Sequence, residues 1–486
     1  MKRGDYKDFE SEGLPMSLKK RILRNISMVT FAEVVSSILS YVIVVLIARL
    51  LGPSELGIYS FAFAFAGIFT FAYDFGISYF YLTQVSRDKA NAQKYFGQYA
   101  SLKLIFCLIT MILPMVAIFF THQEQRVVFL VFLAAISLFF QNYSYVARNT
   151  YYAYQRMTYE AIVRVVERAI AFLLGVFLLL QGYGLLAFLL ILIFSNFISV
   201  VLSIYYLRKF HVPFSLTVDV PTWKTMLKTS WTSWLSTVFL IVYFQVDTIM
   251  LSFIQGYEAT GIYNAAYKLI SVVSKVPWIV ILVLFPIMAE AHAKMSKDLL
   301  RGILEKGMQV MAFLGFPFVI GTMVIAPKII SFVYTTSFSS SVLVLQILVW
   351  TTLFLFLSNM AGWFFNSIGK PQVFAWATGI SLAVNVLLNA LLIPLFSYLG
   401  AAIATVITSI VSFFLLDLLI RKEGYALSLF RLLAKPLLAS AAMGAVVFFL
   451  QSFLHILILI PLAIAVYIAL LFVLGEIKKE DIRSFL

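Results

Sequence analysis

The chain has 486 residues, 62% hydrophobic and 12% charged, where a soluble globular chain is about half apolar and a quarter charged. That balance excludes an ordinary soluble enzyme. Apolar runs recur along the whole length and predict a polytopic all-α membrane protein, each span needing ~20 mostly apolar residues. The net charge of +14 would point to nucleic acid in a soluble protein; here it reflects the positive-inside bias of cytoplasmic loops.

Residues 1–15 are polar and lack an apolar core, so they do not read as a signal peptide. Met16 opens a more ordinary start, MSLKKRILRN, and the preceding residues read as an extension or a mis-set start. Hydropathy then predicts about fourteen spans, at 26–50, 56–83, 98–121, 127–147, 158–181, 184–207, 229–254, 260–288, 306–333, 340–367, 372–396, 398–420, 432–453 and 456–475. The expected organisation is a cytoplasmic segment at 1–25 and a six-helix lobe at 26–208. A cytoplasmic linker at 209–228 leads to a second six-helix lobe at 229–421, and 422–486 holds two appended helices with a cytoplasmic tail.

The two lobes read as parallel repeats. Gly52, Gly57, Ile58 and Tyr59 return as Gly256, Gly261, Ile262 and Tyr263, all offset by 204 residues. QGYGLLA near Gly184 similarly pairs with YLGAAIA near Gly400. An even number of spans separates the copies, so they share orientation, as in transporters whose halves rock about a central site. Proline is uneven: the first six spans hold only Pro114, whereas spans eight to eleven hold Pro277, Pro286, Pro317, Pro327 and Pro394. The second lobe is therefore expected to be the more bent.

With the N-terminus inside, 31 of the 36 Lys and Arg residues fall on the cytoplasmic side or the adjoining helix ends. Arg49, Arg126 and Lys328 fall outside, and Lys268 and Lys275 lie within span eight. Both termini are expected in the cytoplasm.

Charges inside spans are costly and mark function. Lys268 and Lys275 stand seven apart, on one face of a continuous helix, ~12 and ~22 Å below the outer surface. They read as a cationic lining for a phosphate-bearing substrate, against a bland reading as structural lysines. Asp247, ~10 Å deep in span seven, is placed to pair with Lys268. Glu33, in a stripe with Ser36, Ser37 and Ser40, reads as a coupling carboxylate, and Asp74 as a gating or structural acid. Either acid can instead pair with the inner-face charges Arg148, Arg164 or Arg168; Glu167 has helix-pair spacing to the last two. The aromatic stretch at 143–159 reads as interface belt and packing. The single cysteine, Cys107, and four scattered histidines offer no metal site, and no P-loop, GxSxG or HExxH motif occurs.

The stretch ARLLGPSELGIYSFAFAFAGIF, then DFGIS, then VDTIML with GIYNAAYKL, resembles the Wzx-type polysaccharide and oligosaccharide-lipid flippases. These belong to the multidrug/oligosaccharidyl-lipid/polysaccharide exporter superfamily, and the likeness covers residues 17–480. It implies two six-helix lobes, alternating access, and flipping of a polyprenyl-(pyro)phosphate-linked oligosaccharide to the outer leaflet of the cell membrane for surface polysaccharide synthesis. It implies no enzymatic step and no cofactor beyond H+ or Na+ as coupling ion. It implies a monomer working beside a polysaccharide polymerase and glycosyltransferases, with the last two helices forming a groove for the lipid tail. Lys268 and Lys275 occupy the span where relatives place cavity cations, and Asp247 matches the seventh-span aspartate. Beyond Arg49, the first-lobe arginines of lipid II flippases have no counterpart in spans one and two. Two other readings stand beside it: a drug/cation antiporter of the same superfamily, which needs an acidic cavity, and a membrane glycosyltransferase or polymerase.

Overall fold

The computed structural model describes residues 16–475, apart from the side chains at 16–23, 26, 229–233, 235, 236, 279 and 431. The expectations for the first fifteen residues and for the tail from 476 onward lie outside the described residues. Within them the chain is helical and contains no strand. The helices are α1 (Met16–Ile68), α2 (Ile77–Arg87), α3 (Ala92–Ala117), α4 (Gln125–Ala153), α5 (Met157–Leu180), α6 (Gly184–Leu207) and α7 (Val220–Gln255). They continue as α8 (Tyr257–Val273), α9 (Val276–Ala293), α10 (Lys297–Val333), α11 (Ser341–Ser367), α12 (Pro371–Lys422), α13 (Leu429–Leu450) and α14 (Ile456–Val473).

The polytopic all-α fold is as expected, with different punctuation. Helix α12 carries two predicted spans joined at the non-helical Ser397, and α1 carries span one and the first part of span two joined at the non-helical Gly52. Predicted span two instead breaks between Ile68 and Ile77, and predicted span eight breaks at Ser274 and Lys275 into α8 and α9. The 204-residue offset carries Ile68 to residue 272, one short of the end of α8, so the two copies break at matching places. Pro277 sits in the first turn of α9, where its missing N–H costs nothing. Eleven of the described helical stretches are long and apolar enough to cross a membrane. Helix α5 is not among them, because Glu160, Arg164, Glu167 and Arg168 interrupt it.

The chain forms two compact units. One comprises residues up to Leu46 together with Phe69–Trp234; the other comprises Ile47–Ile68 and residues from Leu235 onward. The first unit is organised by α4 packed on α3 and α6, and by α5 on α6. Its core joins Phe96 and Tyr99 of α3 to Tyr81 of α2 and Tyr151 of α4, with Tyr81 stacked on Tyr99 at 4.3 Å. The expected linker is short and docked: α7 begins at Val220, and the preceding extended stretch is tied down by Thr217 N donating to Gly97 O at 3.2 Å. Trp223 Nε1 adds a bond to Gln98 O at 3.1 Å.

The second unit is built on α10, α11 and α12, with α13 and α14 laid against α10. It also shows what the repeat does. Gly52 (φ 86°, ψ −178°) and Gly256 (φ 85°, ψ −176°) hold the same backbone conformation, one essentially reserved for glycine. The helical turns that follow then cross each other reciprocally. A Cβ on Gly57 would lie 1.7 Å from Tyr257 O, and a Cβ on Gly261 would lie 1.8 Å from Pro53 O. Pro53 and Tyr257 are themselves related by the 204-residue offset. Each copy thus presents its glycine to the other's first carbonyl, a close approach that only a missing side chain permits.

Candidate functional site

The antiparallel pair α7 and α8, turning at Gly256, is joined by a buried polar seam. Ser252 meets Thr260 at 2.9 Å, Thr248 meets Asn264 at 3.4 Å, and Tyr263 OH donates to Asp247 Oδ2 at 2.9 Å. The equivalent positions of the first copy's leading helix, Ile43, Val44 and Ala48, are apolar. The seam therefore belongs to the second copy alone.

Asp247 is its centre, buried at 5% exposure. Helix α12 completes its surroundings: Asn389 Nδ2 donates to Oδ1 at 2.6 Å and Thr405 Oγ1 lies 2.7 Å from Oδ2. Asn389 Nδ2 also donates to Asn385 Oδ1 at 3.0 Å. Two features leave the site short of hydrogen-bond donors. Thr405 Oγ1 lies 2.8 Å from the Ala401 carbonyl as well, yet its hydroxyl has one proton for both acceptors. Asn389 Oδ1 is buried without a donor among the described residues. A buried carboxylate held only by neutral groups is expensive unless a proton or cation joins it. The oxygens gathered around it, from the carboxylate, the Asn385 and Asn389 amides, the Tyr263 and Thr405 hydroxyls and the Ala401 carbonyl, suit a hard cation such as Na+. No group of three or more His, Cys, Asp or Glu that could hold a metal occurs among the described residues.

The expected Asp247–Lys268 ion pair is not formed. Tyr263 and Tyr267, stacked at 5.7 Å, occupy the face of α8 turned to Asp247. Lys268 lies about 100° further round the helix. Equal depth did not imply equal azimuth. Lys268 is half-buried and has no carboxylate partner among the described residues, and Lys275 is exposed at the α8–α9 break. That break also removes the continuous helix on which the shared face of the two lysines was expected.

In the first unit, Asp74 and the arginines separate into two clusters. Asp74 pairs with Lys103 of α3 rather than with an arginine. The ammonium also donates to Tyr73 O at 3.2 Å and lies 4.1 Å from the Tyr73 ring. Ser78 Oγ donates to Asp74 Oδ1 at 2.6 Å and meets Tyr99 OH at 2.9 Å, to which Asn149 donates at 2.7 Å. This network spans the break before α2 and supplies partners that the interrupted backbone lacks. It fits the structural role of Asp74.

The second cluster is an ion network. Arg148, placed by sequence at the inner face, is buried on α4 at 1% exposure. It pairs with Glu160, approaches Glu167 at 3.6 Å, and lies 4.3 Å from the Tyr145 ring. Arg164 donates to Glu160 through Nε at 2.9 Å and Nη2 at 2.6 Å, and through Nη1 to Glu33 of α1. Arg168 reaches Glu167 at 3.4 Å, and Ser199 Oγ donates to Glu167 at 2.8 Å. Glu33 is thus paired, one of the two alternatives the sequence left open. Lys103, Glu160, Asn385, Asn389 and Thr405 were not singled out by sequence. The available signal was a polar residue inside an apolar run, strongest for the Asn385/Asn389 pair one turn apart.

Two of the cations expected on the outer side hold helix-end and loop carbonyls. Arg49 donates to Phe332 O and, at 2.7 Å, to Val333 O, capping the last carbonyls of α10. Lys328 Nζ donates to Leu454 O at 2.8 Å. Arg49→Gln is expected to cost about 1 kcal/mol, read as a lowered Tm of the purified protein. A cavity of about 310 Å³ in the first unit, lined by Phe80, Gln84, Tyr95, Pro221, Thr222 and Thr225, contains none of the predicted site residues.

The sequence pattern of the family described as "Polysaccharide biosynthesis protein" matches residues 22–292, more than half the chain. The chain belongs to that family. A second pattern, "Lipid II flippase MurJ", matches residues 240–467. Among curated relatives, the "Probable flippase AglR" of Haloferax volcanii is 24% identical over 45% of this chain and 47% of its own. The "Teichuronic acid biosynthesis protein TuaB" of Bacillus subtilis is 29% identical over 42% of each. The chain therefore spans under half the length of these two members. The "Probable low-salt glycan biosynthesis flippase Agl15" of Haloferax volcanii is 24% identical over 78% of this chain and 79% of its own. Among solved structures, a lipid II flippase MurJ in an inward closed conformation superposes with TM-score 0.76 at 16% identity, covering 92% of this chain and 98% of that one. An inward-facing multidrug resistance MATE transporter gives 0.65 at 15% identity, covering 80% and 95%. These two likenesses show that the chain shares the fold of these two transporters.

Proposed function

We propose that the protein is a flippase that carries a polyprenyl-(pyro)phosphate-linked oligosaccharide from the cytoplasmic to the outer leaflet of the cell membrane by alternating access, for cell-surface polysaccharide synthesis. The observation that carries this reading is Lys268. It is a half-buried cation in the helical stretch Tyr257–Ala293, which is long and apolar enough to cross a membrane, and no carboxylate neutralises it among the described residues. A span pays for such a charge when the cargo is an anion. The relatives named as flippases or as glycan and teichuronic acid biosynthesis proteins support the same cargo class. The antiporter alternative needs an acidic site, and the one acid of α7, Asp247, is enclosed by neutral donors rather than open to a cationic drug.

In this reading Lys268 and Lys275 attract the phosphate groups, and Asp247 binds the coupling ion, H+ or Na+. Both termini face the cytoplasm, following the distribution of basic residues. The protein acts as a monomer, without chemistry of its own, between glycosyltransferases that build the substrate and a polymerase that consumes it. The experiment is flipping of a labelled lipid-linked oligosaccharide in proteoliposomes. Lys268→Gln and Lys275→Ala are each expected to slow flipping about tenfold, the worth of one lost charge-assisted contact. Full-rate flipping by both variants would remove the lysines from the site.

A further inference from the structure

The six-charge network on α1, α4 and α5 balances to zero, and its members are graded in exposure. Glu160, Arg148 and Glu167 are sealed at 0%, 1% and 3%, whereas Arg164, Arg168 and Glu33 open at 18%, 24% and 40%. The buried end is fixed: Glu160 takes the Nε and Nη2 edge of Arg164. The other side of that guanidinium, through Nη1, is held by the most exposed acid of the set, Glu33. One helical turn along α5, Arg168 makes a single long contact with Glu167, at 3.4 Å, among the described residues. Residues four apart on a helix have Cβ atoms about 5–6 Å apart, and their side chains can close on two adjacent phosphoryl groups.

We propose that Arg164 and Arg168 form a pyrophosphate clamp in the first unit, and that Glu33 is a displaceable carboxylate occupying the clamp between substrates. The proposal rests on the flippase reading above and adds to it a second anion site, on α5. Three things support an exchange rather than a permanent pair. The Arg164–Glu33 contact is partly solvated, so parting it costs little. Planar guanidinium groups bind phosphate in fork geometry as well as they bind carboxylate. Glu33 also has a second partner one turn along its own helix, Ser37 Oγ at 3.4 Å, to which it can retire. With Glu33 gone, the three arginines face two glutamates, leaving one net positive charge toward a pyrophosphate. No bond is made or broken. The consequence is mechanical: an anion in the clamp frees α1 from α5, so loading is sensed at α1.

The test is binding, not transport, so it survives a failure of the flippase assignment. Purified full-length protein in nanodiscs is titrated with polyprenyl pyrophosphate, with inorganic pyrophosphate, and with phosphatidylglycerol as a plain anionic lipid. Glu33→Gln removes the competitor and is expected to tighten polyprenyl pyrophosphate binding about tenfold, while Arg168→Gln weakens it about tenfold. Both positions are partly exposed, and an unchanged Tm of each variant shows that it is folded before titration. Tightening for inorganic pyrophosphate as well identifies the phosphate groups as what the clamp holds. Unchanged or weaker binding by Glu33→Gln, unchanged binding by Arg168→Gln, or equal tightening toward phosphatidylglycerol overturns the clamp.

Discussion

An alanine at Gly57 is expected to force the two copies of the repeat apart. Its Cβ would stand 1.7 Å from Tyr257 O and 2.6 Å from Tyr257 C, both backbone atoms that no rotamer change can move. The helices must separate by roughly an ångström or more, and overpacking of this kind costs about 1–3 kcal/mol or more. Gly261→Ala meets Pro53 O at 1.8 Å and is expected to behave alike. Because one separation relieves both clashes, the double variant is expected to lose clearly less stability than the sum of the singles. Gly67→Ala is the control: its Cβ would meet only the Gln245 side chain, at 3.6 Å, and the change should be neutral or stabilising by up to ~1 kcal/mol. Thermal unfolding of the four variants in one detergent reads all of this. A Gly57→Ala protein with wild-type Tm would mean that the reciprocal crossing is not what joins these turns.

That crossing shows how far the sequence was legible. The glycines announced themselves through a shared spacing, and the spans through hydropathy, because both signals are local. What the glycines are for depends on a contact between residues about 200 positions apart, which no local pattern encodes. The grouping of Ile47–Ile68 with the second unit follows from the same contact. The site divides the same way. Asp247 stood out as a lone acid in an apolar run, whereas Asn389 and Thr405 look like the many neutral polar residues that membrane helices tolerate. Lys103 counted as a cytoplasmic cation by its place near the start of span three, and only packing shows it sealed against Asp74 at 1% exposure. Depth along a helix follows from counting residues; azimuth follows from tertiary contact. For that reason the expected Asp247–Lys268 pair gave way to one with Tyr263.

Asp247→Asn is expected to uncouple transport without unfolding the protein. Asparagine keeps the shape, and its Oδ1 still accepts from Tyr263 OH and Thr405 Oγ1. Its amide would face the Asn389 amide, but Asn389 has an unused buried Oδ1 and Asn385 an unused buried Nδ2, so a paired flip of the two side chains restores both bonds. Removing a buried charge with no cationic partner leaves stability unchanged or raised. The loss falls on the ion. If Na+ is the coupling ion, it stabilises the wild-type protein by RT ln(1 + [Na+]/Kd), so Tm rises with Na+ in the wild type and not in the variant. If the ion is a proton, Tm is indifferent to Na+ in both, and collapsing a pH gradient slows flipping in the wild type alone. In either case, gradient-driven flipping by the variant should fall about tenfold or more, to its gradient-free rate, corresponding to at least ~1.4 kcal/mol of lost driving interaction. A variant that answers both gradients as the wild type does would leave the buried seam of α7, α8 and α12 with a packing role only.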